Sequence, residues 1–156
     1  MSDQAKIIGK GLQPDFRYQS VLVTKFINNL MSCGKKSTAT TEFYNAMDLI
    51  GKKIKDHSPI EVFEAAIENV KPLVEVKSKR VGGATYQVPV DVPRKRQQAL
   101  AIRWILQSAR SKKGQKIRNS LASELMDAYN KQGAAITIRT NIHKMAEANK
   151  AFAHFS

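Results

Sequence analysis

The chain has 156 residues, and its 42% apolar content is enough to build the core of one compact domain. A single cysteine excludes an internal disulfide framework, and no run approaches the roughly 18 apolar residues of a membrane-spanning helix. The formal net charge is +13, from 26 Lys and Arg against 13 Asp and Glu, so we expect a polyanionic partner.

The positive charge is concentrated in the middle of the chain. Between Lys77 and Arg118 there are 12 Lys and Arg and one acid, Asp91, which together carry +11 of the net +13. The same run of charge could also be a helix face that is merely exposed to water, but such faces usually carry both signs of charge. The pattern therefore predicts a nucleic-acid-binding surface.

Three helices are predicted before this basic middle, after an extended arm over residues 1–14. Apolar residues at helical spacing begin after Ser20 and again after about Ser37. The third helix has explicit start signals, because Ser58, Pro59 and Glu61 occupy the N-cap, first and third positions of a capping box. Pro72 ends it.

The periodicity then changes from helical to extended. Leu73–Arg80 and Ala84–Val90 alternate apolar and polar residues on either side of Gly82-Gly83, which predicts a β-hairpin. Lys77, Lys79 and Arg80 lie towards its tip. We therefore expect a projecting basic finger.

Three further helices are predicted after the hairpin. The first runs from Pro93 to about Ser111, with Arg96, Arg103 and Arg110 seven residues apart and so along one side. The second runs from about Ile117 to Lys131. The last is predicted from about Asn141, with its inner face formed by Ile142, Met145, Asn149 and Phe152.

No residue pattern in the chain predicts catalysis, a bound metal or a cofactor. Cys33 is interpreted as a packed thiol, since no histidine is near it in sequence. His57, His143 and His154 are dispersed and are interpreted as surface or satisfied side chains. Trp104 is assigned to the core, while the role of Tyr86, stacking platform or packing residue, is left open.

Several segments together resemble one family, the small-subunit ribosomal protein seven family of bacterial type. The matching segments follow the family order over nearly the whole chain: Tyr18-Gln19-Ser20, Phe26–Met31, Gly34-Lys35-Lys36, Pro59–Ala66, Arg80–Val90, Leu100–Trp104 and His143–His154.

The resemblance implies a mainly α single domain, residues 1–156, of about six helices with one protruding β-hairpin. It implies no enzymatic activity but a structural role: primary binding of small-subunit rRNA that organises the head during assembly. The hairpin would lie near the exit-site tRNA and the mRNA path, with platform protein eleven as a neighbour. The cytoplasmic ribosome is the expected location, with no membrane partner.

Carried over to matching positions, the resemblance implies two groups of RNA-facing residues. Those expected to bind rRNA are Lys35, Lys36, Arg94, Lys95, Arg96, Arg103, Arg110, Lys112, Lys113, Lys116 and Arg118. Those expected on the tRNA and mRNA side of the hairpin are Lys77, Lys79, Arg80, Gly82, Gly83 and Tyr86.

The sequence departs from the family pattern before the last helix, where Ile136–Asn141 replaces a strongly basic run. RNA binding is therefore expected to depend more on the middle of the chain. Two alternatives stay open: a free-standing architectural DNA- or RNA-binding protein, which the same charge would permit, and a small enzyme, for which no titratable cluster is visible. Autoregulation of the protein's own mRNA and an organellar origin also stay open.

Overall fold

The computed structural model describes residues 11–155, and the predicted mainly α fold with one hairpin is confirmed. Residues 1–10 of the predicted arm lie outside the described residues. The elements are α1 (Val21–Leu30), α2 (Lys36–Lys53), α3 (Pro59–Val70), β1 (Val74–Val81), β2 (Ala84–Asp91), α4 (Arg94–Ser111), α5 (Ile117–Tyr129) and α6 (Ala134–Ala148). A 3-10 helix, Lys150–Phe155, follows and is called the C-terminal turn.

Three phenylalanines from α1, α2 and α3 meet at the centre of the core. The rings of Phe26, Phe43 and Phe63 are fully buried, and their centroids lie 5.2 to 5.5 Å apart, within the range of favourable edge-to-face and tilted contacts. Helix α5 packs against α2, α3 and α4. Trp104 on α4 is 6% exposed, so its assignment to the core is confirmed.

The predicted start of α3 is present in full. The Glu61 backbone N–H donates to Ser58 Oγ at 3.4 Å, and the Ser58 backbone N–H donates to Glu61 Oε2 at 2.9 Å. Two backbone donors at the helix end are thereby satisfied by side chains. This start is specified by four consecutive residues, which is why the sequence alone predicts it.

The hairpin pairs β1 and β2 antiparallel, with Lys79 opposite Tyr86 and Val81 opposite Ala84. Gly82 and Gly83 form its turn with φ of +57° and +86°, which residues with a Cβ rarely adopt. A two-stranded ribbon is marginally stable by itself. Here α6 packs against β1, and the C-terminal turn packs against β2.

The predicted start of the last helix is wrong, because α6 begins at Ala134 rather than Asn141. The reason is a nonlocal cap: Glu124 Oε1 accepts a hydrogen bond from the Ala135 N–H at 2.9 Å. The predicted inner face is confirmed at Ile142, which packs against the core, and is wrong at Met145 and Phe152. Met145 is 51% exposed, and Phe152 belongs to the C-terminal turn.

Candidate nucleic-acid interface

The α1–α2 connection presents two lysines at the start of α2. Lys35 and Lys36 are both exposed, and neither forms an ion pair within residues 11–155. No side chain caps the α2 N-terminus, so its partial positive charge adds to theirs. The interpretation of Cys33 as a packed thiol is wrong: it is exposed, and it adopts a φ of +53° because the chain turns sharply there.

Helix α4 carries the predicted arginine row, and all three side chains are exposed. Their surroundings differ. Arg96 Nε lies 2.8 Å from Glu75 Oε1, and Arg110 Nη2 donates to the carbonyls of Asn29 and Leu30 at 3.3 and 3.2 Å. The outer two arginines of the row therefore also join α4 to the hairpin and to α1.

Arg103, in the middle of the row, forms no ion pair within the described residues, and the same holds for Arg94 and Lys95 at the start of α4. The first turn of α4 contains no acidic residue and its N-cap, Pro93, makes no side-chain hydrogen bond. This end of α4 is therefore well suited to bind an anion by charge alone.

The α4–α5 connection and the first turn of α5 together hold two cations that bind acids and two that do not. Lys112 Nζ lies 3.1 Å from Glu124 Oε2 and forms an ion pair with it, although the angle between the two groups is unfavourable for a hydrogen bond. Arg118 Nη1 lies 3.5 Å from Glu42 Oε1. Lys113 and Lys116 are exposed and form no ion pair within residues 11–155.

On the hairpin, the C-terminal turn contacts two of the predicted RNA-facing residues: Lys79, which stays exposed, and Tyr86, which is half-buried. Lys79 Nζ donates to the Phe155 carbonyl, and the Tyr86 ring lies 5.2 Å from that of Phe152 and 5.0 Å from that of Phe155. Arg80 is exposed, as are Gly82 and Gly83 at the tip. The tip is thus accessible, while the Tyr86 face is packed within the chain.

Glu75 is a site residue that the sequence does not indicate, because it lies just before the basic middle. Its side chain is 11% exposed and binds both Arg96 and, at 3.4 Å, Lys77. Hydrogen bonding to Arg96 lowers the pKa of Glu75 despite the opposing effect of burial. Glu75 therefore stays ionised and positions both cations.

His143 on α6 supports the hairpin from the other side. Its Nε2 accepts a hydrogen bond from the Leu73 N–H at 3.1 Å, which requires the neutral imidazole. Burial, and then the nearby Arg139, lower the pKa of His143. The interpretation of this histidine as a satisfied side chain is confirmed.

No group of three His, Cys, Asp or Glu among residues 11–155 could hold a metal ion. In the same part of the chain, no helix is both long and apolar enough to cross a lipid bilayer.

A helical domain whose exposed cations line α4, the α4–α5 connection and the α1–α2 connection belongs to the class of nucleic-acid-binding proteins. Residues 3–150 match the model of the ribosomal protein S7p/S5e family, and the chain belongs to that family. The family is a structural, non-enzymatic component of the ribosome, which confirms the prediction of no enzymatic activity.

Relatives from three bacteria are named small ribosomal subunit protein uS7. The protein of Desulfotalea psychrophila is 55% identical over 99% of both chains. That of Rhodopirellula baltica is 55% identical over 99% of this chain and 96% of its own. That of Nitratiruptor sp. is 59% identical over 92% of both chains.

Proposed function

We propose that this chain is a constituent of the small ribosomal subunit in the cytoplasm and a primary binder of its rRNA. In this role it organises the head during assembly, with the hairpin near the exit-site tRNA and the mRNA path and platform protein eleven as a neighbour. The main observation behind this proposal is the set of exposed cations that form no ion pair within residues 11–155 and lie on α4, in the α4–α5 connection and at the α1–α2 connection. Family membership supports it.

The geometry favours contacts to phosphate and sugar over contacts to base edges across most of this surface. Lysines act as point charges and arginines can bind phosphate through two N–H groups. Folded RNA is recognised mainly by shape and backbone. The ion-paired residues, Arg96, Lys112 and Arg118, hold the surface in shape and present their remaining N–H groups to the ligand.

A charge-neutralising experiment tests the surface directly. We compare the triple variant Lys36→Gln, Lys95→Gln, Arg103→Gln with the wild type for binding to small-subunit rRNA across salt concentrations. None of the three forms an ion pair within residues 11–155, so the fold should be kept. The slope of log K against log salt should fall in magnitude by about 2 to 3, since each of the three lost phosphate contacts removes roughly 0.7 to 0.9.

The matched control is Lys52→Gln, Lys53→Gln, Lys55→Gln, which removes the same charge at the opposite end of α2 from Lys36. These side chains are exposed as well. The control should keep the wild-type slope. Equal slopes for both triple variants would show that RNA binding has no defined surface and would contradict the proposal.

The alternative function, architectural DNA binding, is tested in the same assay. Duplex DNA as competitor should displace rRNA poorly at moderate salt, and the protein should sediment with small subunits on a sucrose gradient. A protein that stays at the top of the gradient and prefers duplex DNA favours the alternative.

A further inference from the structure

Two contiguous cavities lie on either side of Arg110, where the end of α1, the start of α2 and the last turns of α4 meet. Their volumes are about 400 and 420 Å³, and both are lined by Asn29 and Arg110. We call them together the Arg110 groove. Protein pockets for small ligands are typically about 300–1,000 Å³, so the groove has the dimensions of a binding site.

Arg110 is fixed in this groove by one of its guanidinium nitrogens. Nη2 donates to the main-chain carbonyls of Asn29 and Leu30, which end α1. Within residues 11–155 the other guanidinium N–H groups make no hydrogen bond. A side chain held in this way presents its remaining donors at low entropic cost, and their fork geometry matches the oxygens of a phosphate or a carboxylate.

The charge of the groove is positive. Lys35 lines one cavity and Arg103 the other, with Arg110 between them. Among the described residues that line the two cavities, Glu42 is the one with a carboxylate. Its Oε1 lies 3.5 Å from Arg118 Nη1, and the positive charge of Arg118 offsets that of the carboxylate. The groove therefore favours an anionic ligand.

The rest of the lining consists of side-chain amides and apolar groups, which are not needed to bind an anion. The Asn29 amide donates to the Lys25 carbonyl at 2.8 Å, which leaves its oxygen as an acceptor. The Gln107 amide makes no hydrogen bond with residues 11–155. Leu30, Met31 and Leu106 supply apolar walls. Amides beside an apolar wall suit the edge and face of a nucleobase.

We infer that the Arg110 groove takes one unpaired nucleotide of the bound RNA, with its phosphate at Arg110 and its base at the Asn29 and Gln107 amides. The bases of an RNA duplex are stacked and paired, so an unstacked nucleotide is the form that can enter. The inference rests on the proposed function and adds to it a site that reads a base, within a surface otherwise directed at the backbone.

The test follows the side-chain amide signals of Asn29 and Gln107 by NMR in the full-length protein. The probes are hexaribonucleotides of each of the four bases and a linear polyphosphate of six phosphates, which has the charge without the bases. We expect at least one hexaribonucleotide to shift both amide signals saturably and the polyphosphate to shift them less, since it can reach Arg110 but offers no base to the amides. Gln107→Ala should weaken binding of that RNA about fivefold, a typical effect of one lost hydrogen bond.

Gln115→Ala is the matched control, since Gln115 is exposed in the α4–α5 connection and does not line the groove. It should bind the hexaribonucleotides as the wild type does. Equal shifts with polyphosphate, wild-type affinity of Gln107→Ala, or no saturable shift with any hexaribonucleotide would each overturn the inference. Failure of the proposed function is read separately, as absent binding of the wild type to small-subunit rRNA.

Discussion

The Nε of Arg96 lies 2.8 Å from one carboxylate oxygen of Glu75 and 2.9 Å from the other, so one N–H group of α4 bridges both oxygens. Because Glu75 lies at the base of β1, this contact joins the hairpin to the helical body. It also leaves the other N–H groups of Arg96 for a ligand. The same pair therefore joins two parts of the fold and, in the proposed function, also orients Arg96 towards RNA.

Glu75→Gln should lower the melting temperature at pH 7. The folded-state pKa of Glu75 is lowered, so its contribution to stability is present above the unfolded pKa of about 4.3 and is lost as the pH falls through the folded value. Thermal melts of wild type and variant from pH 3 to pH 7 should therefore converge at the acid end. Glu64→Gln, at an exposed position without an ion pair in residues 11–155, is the control. A pH-independent difference between Glu75→Gln and wild type would contradict this role.

Two adjacent lysines, Lys112 and Lys113, should contribute very differently to stability. Lys112→Ala leaves the fully buried Glu124 carboxylate without its lysine, so the free energy of unfolding should fall by about 1–3 kcal/mol. Lys113→Ala, at an exposed position, should change it by less than about 0.5 kcal/mol. Urea denaturation measures both. Equal effects would show that the buried pair is not a stabilising contact.

A glycine at the start of α6 should be intolerant of substitution. A Cβ at Gly133 would lie 2.9 Å from Asp127 Cβ and 3.1 Å from Glu124 Oε1, at a φ of +93°. Gly133→Ala should therefore cost about 2–4 kcal/mol, from backbone strain plus steric overlap. Gly114 has a φ of +77° in open space, so Gly114→Ala should cost only about 1 kcal/mol. If urea denaturation gave similar losses of unfolding free energy for Gly133→Ala and Gly114→Ala, backbone strain alone would explain the effect at Gly133, without steric overlap.

The features that the sequence predicts correctly are those specified by neighbouring residues. The capping box from Ser58 to Glu61 and the Gly82-Gly83 turn involve contacts over a few positions, and both occur as expected. The start of α6 is set instead by Glu124, whose carboxylate accepts a hydrogen bond from the N–H of Ala135, eleven residues further along the chain. The residues around Asn141, where the start was predicted, give no indication of this distant hydrogen bond.

The candidate site also has features that the local sequence predicts and features that depend on distant residues. Residue type and spacing predict which cations are exposed on α4, and Arg96, Arg103 and Arg110 are exposed there. Which of them binds an acid depends on contacts between distant segments, such as that of Glu75 on β1 with Arg96 across 21 positions. The Arg110 groove likewise combines residues from α1, α2 and α4, so its lining is visible only in the folded chain.

His143 should make hairpin stability depend on pH near neutrality. Since its folded-state pKa is lowered, the folded protein binds fewer protons, and stability is lost as the pH falls below the unfolded value of about 6.5. Protonation also removes the acceptor for the Leu73 N–H. An NMR titration should place the His143 midpoint below 6.5, with the Leu73 amide signal moving at the same midpoint. A midpoint at or above 6.5 would contradict the neutral acceptor role.

The C-terminal turn should hold the hairpin in place. Phe152 and Phe155 pack against Tyr86 at 5.2 and 5.0 Å, and aromatic pairs contribute about 0.5–1.5 kcal/mol each. The double variant Phe152→Ala, Phe155→Ala should therefore increase amide hydrogen exchange in β1 and β2 about tenfold, while the amides of α5 keep their protection. Phe16→Ala removes a ring that is 91% exposed and should leave hairpin exchange unchanged. Unchanged hairpin exchange in the double variant would show that α6 supports the hairpin without the turn.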